Sequence, residues 1–124
     1  MKTAERKDIV PSMASNVIGK AFTVEQMLNY SVQAIWMDLG SLSGAIKLQG
    51  SNDAYEPPLG NALYLIENPN AIWQDVPSST ITVTGSNSQV YDVAEVGYRY
   101  YRLVYTASAG NGSMVVNHWA KGRI

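Results

Sequence analysis

Apolar and polar side chains alternate with a period of two in several short runs of this chain. The pattern is clearest in residues 30–36, 45–50, 79–84 and 89–93. Successive side chains of a β-strand point to opposite faces, so this alternation predicts strands with one face in the core. The side chains predicted to face inward are Tyr30, Val32, Ala34, Trp36, Ile46, Leu48, Ile81 and Val83.

The last third of the chain predicts a β-hairpin. Residues 98–106 and 113–120 are rich in β-branched and aromatic side chains, and Gly110, Asn111 and Gly112 lie between them. An Asn-Gly pair between two such runs is a strong hairpin signal, because a type I′ turn needs positive φ at both central residues. We therefore expect these two runs to pair with each other.

Turns rich in Gly, Pro, Asn and Ser separate the predicted strands at spacings near ten residues. This spacing favours an all-β fold, and we predict a jelly-roll-like antiparallel β-sandwich over residues 17–124. Residues 1–16 lack a sustained apolar period, and they predict a flexible N-terminal arm that is ordered only by contact with another molecule. Short helices are the local alternatives at Ala4–Val10 and Thr23–Tyr30.

Composition limits the classes of partner. The chain has 124 residues, of which 46% are hydrophobic and 15% charged, and its formal net charge is -1. Nucleic acid is not an expected partner, because affinity for it depends on many basic side chains. We also expect no membrane partner, since no run approaches the ~20 apolar residues of a spanning helix. The sequence has no cysteine, which removes disulfide frameworks and thiolate metal sites from consideration.

No catalytic constellation is visible, and we predict a protein that is not an enzyme and has no cofactor or metal. His118 is the only histidine, so a triad or a zinc site has too few partners for it. Asn52, Asp53 and Asp75 have the oxygen chemistry of a calcium site. The alternative, which we favour, is that Asn52 and Asp53 only hydrogen-bond to the backbone of their own turn.

The aromatic residues are the better indication of function. Eight Tyr and three Trp against one Phe give most rings a polar group, as on half-buried surfaces. If Tyr101, Leu103 and Tyr105 face the core, alternation leaves Tyr98, Tyr100 and Arg102 on the other face. The residues predicted to contact a partner or a glycan are Trp73, Tyr98, Tyr100 and Arg102. Ordinary cross-strand pairing with no partner is the alternative for the tyrosines.

The order of the segments YSVQAIW, AIKLQGSND, Trp73 with Asp75, and VYDVAEVGYRYYRLVYTASAGNGS resembles small structural proteins of tailed bacteriophages. It also resembles discoidin-like (F5/8 type C) carbohydrate-binding sandwiches. The phage resemblance implies a virion component that is made in the cytoplasm of the bacterial host, present in several copies, and either decorates the capsid or belongs to the tail.

We therefore predict a non-enzymatic structural component of a tailed-phage virion. Its expected partners are other copies of itself, with a homotrimer favoured by analogy with decoration proteins, and virion proteins such as the major capsid protein. The arm of residues 1–16 would reach a neighbouring subunit or the shell. The alternative function is a carbohydrate-binding module that attaches to host glycans through Trp73, Tyr98 and Tyr100.

Overall fold

The structure is a computed structural model that describes residues 3–56 and 66–122, and all the regular structure in these ranges is β-strand. The strands are β1 (Thr3–Val10), β2 (Val17–Ile18), β3 (Phe22–Thr23), β4 (Met27–Ser51), β5 (Tyr55–Glu56), β6 (Ile66–Glu67), β7 (Gln74–Asp75), β8 (Ile81–Thr84), β9 (Asn87–Val93) and β10 (Tyr100–Gly122). The described part of the chain contains no helix suited to crossing a bilayer.

Two long strands, β4 and β10, pair antiparallel along their whole lengths. Near the middle, the register shifts between Ala107 and Gly112, and Ser41 and Gly110 have positive φ values of 50° and 75°. The two-stranded ribbon folds over at this corner. Tyr30 belongs to one half and Tyr101 to the other, yet their rings stack with centroids 4.9 Å apart. The two halves of the ribbon therefore face each other across the core.

Each half of the ribbon gains further strands and becomes one layer of a sandwich. In the first layer, β9 pairs with residues 30–36 of β4, and β1 pairs with residues 114–121 of β10. In the second layer, β7 and β8 pair with the later half of β4, while β2 and β3 pair with the earlier half of β10. The short pair β5–β6 stands apart from this sheet. The predicted all-β antiparallel sandwich is confirmed.

The core lies between the layers and contains most of the side chains that alternation predicted. The confirmed core residues are Tyr30, Val32, Ala34, Trp36, Ile46, Leu48, Val83, Tyr101, Leu103 and Tyr105, and Ile81 packs against them half-buried. The burial of these large apolar groups is the main stabilising contribution to the fold.

The predicted C-terminal hairpin is wrong. Residues 100–122 form one strand, and both of its halves pair with β4 instead of with each other. The glycines that suggested a hairpin turn lie instead at the corner where the ribbon folds over. A Cβ at Gly110 would lie far inside contact distance of the carbonyl oxygens of Gly40 and Ser41, so only glycine lets the two backbones approach this closely. A local turn signal does not distinguish a hairpin from a bent strand, because both need positive φ.

The expected N-terminal arm is wrong for the described residues 3–10. They form β1, which pairs from Thr3↔Lys121 to Val10↔Met114 within the same chain, and they are not a helix. The second candidate helix, Thr23–Tyr30, is also wrong, since β3, a turn and the start of β4 occupy it. Arg6 and Asp8 form an ion pair at inward positions of β1. Because these inward side chains are charged, β1 shows no alternation of apolar and polar residues in the sequence.

We predict that Gly110→Ala destabilises the fold by about 3 kcal/mol or more. The added methyl group meets backbone carbonyls of β4 and also strains a residue with φ of 75°. The free energy of unfolding is measured in urea.

Gly85→Ala is the matched control, because Gly85 has φ of 62° and open space around its Cβ position. It is expected to cost about 1 kcal/mol, from backbone strain alone. Equal losses in the two variants would contradict the close approach at the corner.

Candidate functional site

A row of polar side chains crosses the outer face of the second layer. Arg102 of β10 lies opposite Gln49 of β4, which lies opposite Asp75 of β7. The Arg102 Nε donates to Gln49 Oε1 at 2.9 Å, and the Gln49 Nε2 donates to Asp75 Oδ1 at 2.9 Å. Lys47 also donates to Asp75, at 3.1 Å. These contacts fix the direction of the Arg102 side chain.

Trp73 and Arg102, two of the four predicted contact residues, lie together. The Arg102 Cζ is 4.1 Å from the centroid of the Trp73 ring, which is the geometry of a cation–π contact. Both side chains line a groove of about 720 Å³, which we term the Trp–Arg groove. Its other lining residues are Ile18, Gly19, Lys20, Ala21, Ala54, Glu67, Asn68, Pro69 and Ala71.

The prediction that Tyr98 and Tyr100 share an accessible face with Arg102 is wrong. Tyr100 is only 3% exposed, because Tyr55 of β5 packs against it edge to face with centroids 5.2 Å apart. Tyr98 precedes β10, and its ring lies against Gly50 and the core residue Tyr101. Strand alternation did not reveal these positions, since β10 begins only at Tyr100 and since β5 reaches it from a distant part of the chain.

The expectation that Asn52 and Asp53 bond only to the backbone of their own turn is wrong, because both side chains accept hydrogen bonds from amides of distant segments. The Asp53 carboxylate accepts from the Ser51 hydroxyl at 2.8 Å and from the Ile72 amide at 3.0 Å. The Asn52 side chain accepts from the Arg99 amide at 2.9 Å. Asp75 is engaged with Gln49 and Lys47 instead. No group of three or more acidic or histidine side chains suited to a metal ion occurs among the described residues.

A buried polar network joins β1 to the core through His118. The Tyr30 hydroxyl lies 2.7 Å from His118 Nδ1, and His118 Nε2 lies 3.1 Å from Asp8 Oδ2. The Arg6 guanidinium donates twice to Asp8, at 2.9 and 2.8 Å, and twice more to the backbone carbonyls of Lys20 and Ala21. This His118 network therefore links β1, β4, β10 and the segment before β3.

The network fixes the tautomer of His118. The carboxylate of Asp8 only accepts hydrogen bonds, so Nε2 carries the proton and Nδ1 accepts from the Tyr30 hydroxyl. Burial and the nearby Arg6 charge lower the pKa of His118 to about 4, although Asp8 acts in the opposite direction. His118 is neutral at pH 7 with both nitrogens occupied. Its arrangement is that of a structural core histidine.

The outer face of the first layer carries an apolar patch, which we term the outer patch and define as Ile9, Ile35, Met37, Val90 and Val115. Ile9 lies opposite Val115, and Val115 lies opposite Ile35, so three adjacent strands contribute to one row. Sequence reasoning missed this patch, because it depends on the pairing of β1 with β10 and of β9 with β4.

No protein-family model matches the sequence, and no curated protein matches it either. Among solved structures, a Bacillus chain from the work described as "Bacillus endospore appendages form a novel family of disulfide-linked pili" aligns over 98% of this chain and 89% of that chain, with 17% identity and a TM-score of 0.49.

We predict that the fold loses stability as the pH falls from about 6.5 to about 4. The folded protein binds fewer protons at His118 than the unfolded chain does in this window, because the folded pKa is about 4 and the ordinary value is 6.5. Stability is fully present above the ordinary pKa and falls toward the folded one, by roughly 3 kcal/mol in total.

The matched control is His118→Gln, which does not titrate. The difference in free energy of unfolding between the natural chain and this variant, measured in urea at several pH values, should shrink as the pH falls from 6.5 to 4. A difference that is constant over this range would contradict a buried neutral histidine, whatever the other carboxylates contribute.

Proposed function

We propose that this protein is a non-enzymatic structural component of a multi-subunit particle, and that its outer patch joins it to a second copy of the same chain. The observation that carries the proposal is the exposure of the patch. Ile9, Ile35, Met37 and Val90 are 71%, 43%, 58% and 52% exposed. Large apolar side chains that cluster on one face of a folded domain mark an interaction surface.

The geometry of the patch suits a flat contact between sheets. Its members come from four strands of one layer and point to the same side. Val90 lies opposite Gln33, which places it diagonally next to Ile35. Lys7 and Asn117 lie beside these apolar groups on the same face. An apolar centre with a polar rim is the usual arrangement of a protein interface.

Charge favours a second copy as the occupant. The formal net charge is only -1, so two copies repel each other weakly. Glu5 and Lys7 lie on the outer face of β1 beside the patch, one acidic and one basic. A two-fold symmetric contact brings the same patch from both subunits together and lets each sign of charge meet the other.

The sandwich is built as a rigid block, which agrees with a structural role. β4 and β10 run through both layers and pair with each other, with register shifts at the corner and between Lys121 and Gly122, so the layers cannot separate without breaking these strands. The His118 network ties β1 into the same unit. Rigid subunits lose little conformational entropy on assembly, which favours repeated contacts between copies.

The resemblance to small structural proteins of tailed phages supports a particular particle, the virion. In this proposal the protein is made in the bacterial cytoplasm and becomes a capsid decoration or tail-associated protein. The major capsid protein is then a further partner. The homotrimer stays a prediction, and it would need a second contact outside the outer patch, because a two-fold contact closes as a dimer. Because β1 belongs to the sandwich, contact with the shell would use the outer faces instead of a free arm.

We expect the purified chain to associate in a concentration-dependent way, and we expect the double variant Ile35→Lys, Met37→Lys to weaken this association at least tenfold. Both side chains point outward, so the fold should tolerate lysine, whereas burial of two charges in the contact is costly. Light scattering over a range of concentrations measures the mass.

Ile72→Lys is the control, because Ile72 is 66% exposed and is not part of the outer patch. This variant should associate as the natural chain does. A natural chain that stays monomeric at every concentration, or a double variant that associates normally, would contradict the proposal.

A further inference from the structure

In the Trp–Arg groove, the guanidinium of Arg102 is held in one orientation, but only one of its nitrogens donates a hydrogen bond to a described residue. The Arg102 Nε donates a hydrogen bond to Gln49 at 2.9 Å, and the guanidinium lies over the Trp73 ring. Its two terminal nitrogens make no hydrogen bond to any residue that the structure describes. A guanidinium held in this way presents paired donors whose spacing matches the two oxygens of a carboxylate.

The surroundings strengthen an ion pair at this position. Arg102 is half-buried, and loss of solvent lowers the pKa of its guanidinium, although the group remains charged at neutral pH. A partly desolvated cation attracts an anion more strongly than a fully hydrated one does. Lys20 lines the same groove and adds a second positive charge. The groove therefore favours an anionic group.

Other lining residues favour a sugar over a small anion. The volume of about 720 Å³ lies within the range of ~300–1,000 Å³ that is usual for small-molecule sites. Trp73, Ala21, Ala54 and Ala71 supply apolar wall, which suits the C–H groups of a pyranose ring. The exposed Glu67 carboxylate can accept hydrogen bonds from sugar hydroxyl groups, which a simple anion does not offer.

We propose that the Trp–Arg groove binds an acidic saccharide, with the Arg102 guanidinium receiving the sugar carboxylate in a bidentate contact and Trp73 forming the apolar wall. The site is independent of the proposed assembly contact, because the groove lies on the outer face of the second layer and the outer patch on that of the first. It uses neither Tyr98 nor Tyr100.

The test is isothermal titration calorimetry of the full chain with digalacturonic acid, compared with neutral digalactose and with acetate. We expect digalacturonic acid to bind at least tenfold more tightly than either of the others. Equal affinity for acetate would overturn the assignment to a saccharide, and equal affinity for digalactose would overturn the role of the carboxylate. Absence of binding by the acid sugar would overturn the site.

Three variants locate the contact. Arg102→Gln and Trp73→Ala should each weaken binding of digalacturonic acid at least tenfold. Arg102→Lys should also weaken it, because lysine keeps the charge but not the paired donors. Full affinity in Arg102→Lys would overturn the bidentate contact. Circular dichroism melting checks that each variant is folded.

Arg99→Gln is the matched control. Arg99 also stacks on an aromatic ring, that of Tyr100 at 5.7 Å, and pairs with Glu25, but it lies outside the groove. The variant removes the same charge and should bind digalacturonic acid within twofold of the natural chain. An equal loss in Arg99→Gln and Arg102→Gln would show a general charge effect and overturn the proposal.

Discussion

The continuous pairing of β4 with β10 through the corner is the constraint on which the rest of the structure depends. Each layer is assembled on one half of this ribbon, so the fold of the ribbon sets which side chains meet. The corner exists because the backbone at Gly110 approaches that of Gly40 and Ser41 more closely than any Cβ allows. Backbone sterics at one residue thereby determine the packing of a whole core.

The His118 network is a second kind of constraint, and it is polar. Hydrogen bonds connect Tyr30 to His118, His118 to Asp8, and Asp8 to Arg6. Arg6 also donates to the backbone carbonyls of Lys20 and Ala21. A buried polar group is tolerable only when its hydrogen bonds are made, so the network specifies one position for β1. Apolar burial alone would leave the register of this edge strand less well defined.

The two outer faces of the sandwich have different chemistry. The first layer presents aliphatic side chains at Ile9, Ile35 and Val90, while the second presents a polar row and the Trp–Arg groove. One face suits assembly and the other suits a polar ligand. A particle subunit with both would fix its neighbours through one layer and leave the other layer available, so that repeated copies present the groove many times.

The sequence by itself determined the strands over residues 30–36 and 45–50, their inward faces and the all-β class, because the period of two in these runs is a local property of the chain. Only the tertiary structure decided which strands pair. The sequence around Gly110 is compatible with a hairpin or with a bent strand. The bent strand forms because both halves of β10 pair with β4, which lies far away in the chain. Tyr55 covers Tyr100, so Tyr100 is not available to a partner, whereas Arg102 lies beside Trp73 in the groove. The alternation of side chains along a strand does not predict such long-range contacts.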